Sequence, residues 1–185
     1  MNDNSTKKSK ELLPKKMVFQ GLPKQIIGWK EWFSLDSLGI PAIRGKIDTG
    51  AKTSSLHAFN IKSFYVENVE YVKFDIHPLQ KNKKLIRSCV ASVVDHRMVC
   101  DSGGKREKRF VIKSMLCIGN KKIITELTLA NRDSMTFRML LGRKAIKQVK
   151  MLVDPSKAFL QGDLENSVVN ELYQKIHQNL NPKVL

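Results

Sequence analysis

The stretch Lys46-Ile47-Asp48-Thr49-Gly50-Ala51-Lys52-Thr53-Ser54-Ser55-Leu56-His57-Ala58 decides the fold. A short apolar strand, Ile40 to Ile47, runs into Asp48-Thr49-Gly50 and so delivers a carboxylate onto a tight turn. Gly50 permits close backbone approach there, and Thr49 can hydrogen-bond a neighbouring main chain. Much later, Met139-Leu140-Leu141-Gly142-Arg143 is an apolar strand that ends in glycine, suited to packing under the turn and bracing it. A carboxylate held this way can be shielded from water, which raises its pKa or couples it to a second carboxylate.

Outward from that turn, short strands dominate. Phe64 to Ile76 contains period-two alternation, clearest in Tyr71 to Ile76, and Leu85 to Val94 is rich in β-branched residues. Asp101-Ser102-Gly103-Gly104 is expected to be a hairpin turn between Arg97–Cys100 and Phe110–Ile118. Gly119-Asn120 turns the chain into Ile123–Leu129, and Met135–Leu141 is a further strand stopped by Gly142. Helix is scarce. A short one is expected over Arg143 to Lys150, and Leu164, Val168, Leu172, Ile176 and Leu180 recur at helical spacing as an amphipathic helix packing back on the strands. The pattern predicts a mainly β protein, closed as a barrel or sandwich, with a short helix after the last core strand and a C-terminal helix. The expected organisation is a basic disordered tail over 1–25, one domain over 26–160 and a helical extension over 161–185.

The chain has 185 residues, 42% hydrophobic and 27% charged, enough for one buried core. Lys and Arg number 33 against 17 Asp and Glu, a formal net charge of +16 that favours an anionic partner such as nucleic acid or an acidic polypeptide. Base stacking needs aromatics interleaved with the charge, and only Phe110 lies near the basic clusters, which disfavours nucleic acid. No apolar run is long enough to span a membrane, and Met1 to Lys24 lacks the features of a secretory signal. Cys89, Cys100 and Cys117 contain no C-x-x-C pair, as expected of reduced thiols in a cytoplasmic protein. The histidines, His57, His77, His96 and His177, form no H-E-x-x-H motif, and no phosphate-binding glycine loop is present, so no metal and no cofactor is expected.

Asp48-Thr49-Gly50-Ala51 followed by Leu140-Leu141-Gly142-Arg143 and a short helix resembles the retropepsin-like aspartic proteases. Gly28-Trp29-Lys30-Glu31-Trp32, the Lys46–Ala58 block, Leu129-Ala130-Asn131-Arg132 and Val153-Asp154-Pro155-Ser156 are similar to a bacterial family often labelled ATP-dependent zinc protease and viewed as retropepsin-like. The resemblance implies a closed acid-protease barrel and a homodimeric aspartic endopeptidase. In it, Asp48 is the catalytic residue of a dyad shared across the dimer axis. One carboxylate would activate water while the other polarises the scissile carbonyl. Thr49 and Gly50 would form the active-site turn and dimer lock, Ala51 and Lys52 would line the substrate cleft, and Arg143 would be structural. Lys52 stands where viral relatives commonly carry an acid, so their peptide preference does not transfer. No glycine-rich flap is identified, and a hairpin between Phe64 and Val94 is its expected place. Asp101-Ser102-Gly103 follows Asp48 too closely to supply a second lobe.

The expected substrate is a peptide or protein, acidic on the evidence of the net charge alone. Two alternatives stay open on the residues: the same barrel as a non-catalytic module binding an anionic polymer, and a zinc-dependent peptidase whose ligands come from distant strands.

Overall fold

The computed structural model describes residues 25–80, 82–100, 104, 106–131 and 136–180, without the side chains of 177–180. The expected basic tail, the Asp101-Ser102-Gly103 turn, Lys81, Lys105, Arg132 and the start of the Met135–Leu141 strand lie outside them.

In chain order come β1 (Ile26–Gly28), β2 (Lys30–Leu35), a 3-10 turn over Asp36–Leu38, β3 (Ile40–Asp48), β4 (Ser54–His57), β5 (Phe59–Val66), β6 (Val69–Ile76) and β7 (Arg87–Cys100). Then follow β8 (Arg106–Ile118), β9 (Lys121–Ala130), β10 (Met139–Gly142), α1 (Arg143–Val149), β11 (Leu152–Asp154) and α2 (Asn166–Leu180). Among the described residues the protein is mainly β with two α-helices. A nine-stranded sheet runs in the order β2-β3-β10-β4-β9-β8-β7-β6-β5, and β2 makes a further pairing with β8 through Ser34–Cys117 and Leu35–Leu116.

Three strand expectations change. The Phe64–Ile76 segment is a hairpin, because Glu67 and Asn68 both take positive φ (47° and 66°) and reverse the chain between β5 and β6. Positive φ at both central positions is the geometry that suits the twist of a two-residue hairpin. The segments Leu85–Val94 and Arg97–Cys100 merge into the single strand β7, which absorbs the polar Asp95-His96 pair with a register shift between Val93 and Asp95. Ser54–His57, where the pattern assigned no strand, is a fully buried one, parallel to β9 and antiparallel to β10.

The core gathers the apolar faces of these strands, with Phe33, Leu35, Ile43, Leu56, Phe74, Leu116, Leu127 and Leu141 all buried. Helix α2 covers one flank: Val169 and Tyr173 are buried, and the Tyr173 hydroxyl donates to the Ala42 carbonyl of β3 at 2.6 Å. Burial raises the Tyr173 pKa well above its ordinary value, so the phenol stays neutral and able to donate.

The amino-terminal strands are fastened by a buried acid. Glu31 is fully enclosed. Its Oε1 accepts from the Gly28 N–H at 2.6 Å and the Leu160 N–H at 2.9 Å, and its Oε2 accepts from the Gln161 N–H at 3.2 Å. Alongside, β1 pairs in parallel with β11, Trp29 N–H donates to the Lys157 carbonyl at 2.8 Å, and Phe159 N–H donates to the Lys30 carbonyl at 2.9 Å. A side chain at position 28 would collide with the Lys157 carbonyl, which explains the glycine there. Glu31→Gln substitutes an amide for one acceptor among three N–H donors and is expected to lower stability by about 2 kcal/mol. The urea midpoint should fall with an unchanged slope; an unmoved midpoint would remove Glu31 from the fastening.

Candidate functional site

Strand β3 ends at Asp48, and β10 lies parallel beside it with Gly142 opposite Asp48. The bracing expected from the Leu-Leu-Gly-Arg segment is therefore what the structure contains. Position 142 has no room for a side chain, since a Cβ there would stand 2.6 Å from the Thr53 carbonyl carbon. The Gly142 N–H donates to Ser54 Oγ at 3.1 Å, which ties β10 to the start of β4.

Asp48 shapes its own turn. Its Oδ1 accepts from the N–H groups of Gly50 and Ala51, both at 3.0 Å, an arrangement typical of an aspartate that reverses the chain. The carboxylate is half-buried, while Thr49, Gly50 and Lys52 are exposed and Ala51 is half-buried. Below them, α1 grips four consecutive carbonyls. Arg143 Nη1 donates to the carbonyls of Thr49 at 2.8 Å and Gly50 at 2.6 Å, while the N–H groups of Arg143 and Lys144 donate to those of Ala51 at 2.9 Å and Lys52 at 3.1 Å. The first N–H groups of a helix lack partners within it, and here the turn supplies them. Arg143 thus has the structural role expected of it, as the clamp on residues 49–50.

A charged network that the sequence did not announce borders the turn. Arg97 on β7 donates from Nη1 to Thr53 Oγ1 and to Glu126 Oε2, both at 3.2 Å, and from Nη2 to Asp95 Oδ2 at 2.7 Å. Lys144 Nζ reaches the same Glu126 oxygen at 3.2 Å. Lys144, and with it Arg97, holds the Glu126 carboxyl below its ordinary range, and Arg97 does the same for Asp95. Through Arg97 the long β7–β8 hairpin is joined to the turn block, whereas the β5–β6 hairpin, part of the region expected to hold a flap, makes no such bond among the described residues. No sequence signal marks Arg97, because two of its three partners, Thr53 and Glu126, come from distant segments.

Among the described residues no three His, Cys, Asp or Glu side chains gather as a metal site. His57 and His77 are buried and stacked at 5.7 Å with Phe59 beside them, and His96 Nε2 lies 2.8 Å from Glu70 Oε2. Cys89, Cys100 and Cys117 form no disulfide, and burial pushes the Cys89 thiol up to about 12. No helix of the described residues is long and apolar enough to cross a membrane.

The chain is similar to a protein of Shewanella pealeana named probable alpha-L-glutamate ligase, with 47% identity over 150 residues, covering 81% of this chain and 32% of the relative. A protein of Desulfotalea psychrophila with the same name is 42% identical over 156 residues, covering 84% of this chain and 33% of the relative. The chain spans about a third of the length of the curated relatives it matches. These relatives correct the expected aspartic endopeptidase. Proteins at such identity are named for ligation of glutamate, so the hydrolase activity and its protease terms do not carry over to this chain.

Among solved structures, a Legionella pneumophila protein of unknown function matches with a TM-score of 0.64 and 28% identity, covering 74% of this chain and 98% of its own. A family model described as retropepsin-like aspartic endopeptidase RimB matches residues 26–163, a span that holds every motif on which the retropepsin-like resemblance was drawn. The chain belongs to the RimB-like, retropepsin-like family.

Proposed function

We propose that this chain serves α-L-glutamate ligation by holding a glutamate-bearing, acidic polypeptide along the rim of the Asp48 turn. One observation carries this: Lys46, Lys52, Arg143 and Lys144 are all exposed around that turn. Glu126 draws on Lys144 but not on Lys46, Lys52 or Arg143. The names of the relatives supply the glutamate, and a net charge of +16 supplies the long-range attraction. In this role Asp48, Thr49 and Gly50 fix the turn, while Ala51 and Lys52 face the bound chain.

The supporting architecture is a closed barrel of β2, β3, β10, β4, β9 and β8, for which the pairing of β2 with both β3 and β8 speaks. Residues 26–160 act as the domain, with 161–185 as its helical extension. The protein works in the cytoplasm, in keeping with cysteines that form no disulfide. Two copies join through the exposed Thr49–Gly50 turn, so that one peptide meets two basic rims and gains avidity.

Fluorescence anisotropy with an oligoglutamate peptide tests the role. Binding should weaken steeply with added salt and exceed that of an oligoglutamine peptide. The double variant Lys52→Ala, Lys144→Ala should lose about tenfold in affinity at low salt. Equal binding of oligoglutamine, or salt-insensitive binding, would overturn it, as would a peptide found shortened by mass spectrometry. Sedimentation velocity at the binding concentration should show a dimer, and a monomer there would remove the paired rims.

A further inference from the structure

Away from the Asp48 turn, a cavity of about 240 Å³ opens between β2, β3, the segment after β6 and the first turns of α2. Its walls include Trp32, Arg44, Gln80, Asn82, Asn166 and Asn170. A second cavity of about 340 Å³ shares Asn82 and Asn170 with it and reaches exposed Lys84, so the two form one groove.

The unusual group in this groove is Arg44. Its guanidinium carbon stands 4.6 Å from the Trp32 ring centre and 5.6 Å from that of Phe159, so its face is spent on aromatic stacking. Its edge is not spent. Among the described residues Arg44 has no carboxylate or carbonyl partner, and its Nε is a buried atom without a hydrogen bond. The nearby exposed Asp163 makes no ion pair with Arg44; its Oδ1 accepts from the Trp32 indole N–H at 3.1 Å and the Leu164 N–H at 2.9 Å. A guanidinium cannot shed its charge, and among the described residues no carboxylate pairs with this one, so its Nη groups are open to an anion entering the cavity.

We propose that this groove is a carboxylate-binding subsite, with the two Nη groups of Arg44 donating to a planar carboxylate that lies beside the Trp32 ring. A carboxylate matches the guanidinium fork with two parallel hydrogen bonds. Within the first cavity Arg44 is the one cation among the named lining residues, flanked by amides, which suits one negative charge better than a phosphate dianion. The volume also fits, since a water takes about 30 Å³ and the cavity holds several. The groove runs on past Asn82 to Lys84, which lets an extended chain follow the first carboxylate. That the carboxylate belongs to a glutamyl peptide rests on the function proposed above; the subsite itself stands on the cavity alone.

The Arg44 side-chain Nε–Hε resonance reports directly on the fork. Titration of the wild-type protein with glutarate should move it saturably, with Arg44→Met binding at least about tenfold more weakly and Arg44→Lys intermediate. No saturable shift in the millimolar range, a shift with inorganic phosphate but not glutarate, or equal glutarate affinity in both folded variants would each overturn the subsite. If the variants fail to fold, the wild-type titration decides. Oligoglutamate with an amidated end and oligoglutamine with a free end separate a side-chain carboxylate from a terminal one, since only the matching peptide should move the resonance. Loss of oligoglutamate binding with the glutarate shift intact would remove the ligation role and leave the subsite standing.

Discussion

The absence of a side chain at position 142 is the constraint on which the site depends. Strand β10 is only four residues long, yet it lies parallel to β3 and antiparallel to β4 at once. At its end the backbone must pass against the main chain of Thr53 and Ser54, closer than any Cβ allows. Once it does, α1 begins where its unpaired N–H groups meet the carbonyls of Ala51 and Lys52. Helix starts favour anions, and α1 opens instead with the cations Arg143 and Lys144. The four carbonyls from Thr49 to Lys52, all turned toward that start, offset the mismatch. The Asp48 turn is thus held from below by backbone and by one guanidinium, and its upper surface stays open.

A second fastening works at the opposite end of the chain's path. Glu31, fully buried, collects three N–H donors, and β1 with β11 closes the chain on itself beside it. This fastening positions more than the termini. It brings Phe159 against Trp32, and the two rings together hold Arg44. The motif fragments around Gly28 and Val153, far apart in sequence, owe their company to this joint.

How much of this was legible in the sequence follows from which constraints are local. The Asp48 turn was, because Asp-Thr-Gly states its own geometry, and the Gly142 brace was, because an apolar strand halted by glycine needs a close neighbour. The α2 helix was legible from its spacing. The β5–β6 reversal was not, since Glu67-Asn68 lacks the glycine that usually marks positive φ. Nor was β4, whose Ser-Ser-Leu-His reads as polar until both flanks are covered by β9 and β10. Arg97 and Arg44 were invisible for a different reason. Their chemistry resides in partners from distant segments, and a lone arginine on a strand reads only as surface charge. Function was misjudged at another level: a turn shared by a family defines a fold and a site, and says less about the reaction carried by longer relatives.

The two basic features of the molecule would recognise an acidic chain by different physics. Cations on the rim of the Asp48 turn stand in water, where each is worth little alone and salt screens them all. They suit capture and steering, since summed charge acts at a distance without demanding a fixed geometry. Arg44 is the reverse case. Its guanidinium is pinned between rings, so little side-chain entropy is left to lose when a carboxylate arrives. In a partly enclosed cavity, water competes less for the same hydrogen bonds. Such a fork reads the shape of the anion as well as its charge, which a lysine-lined rim cannot do. An acidic polypeptide drawn in by the first feature would therefore be told from other polyanions by the second.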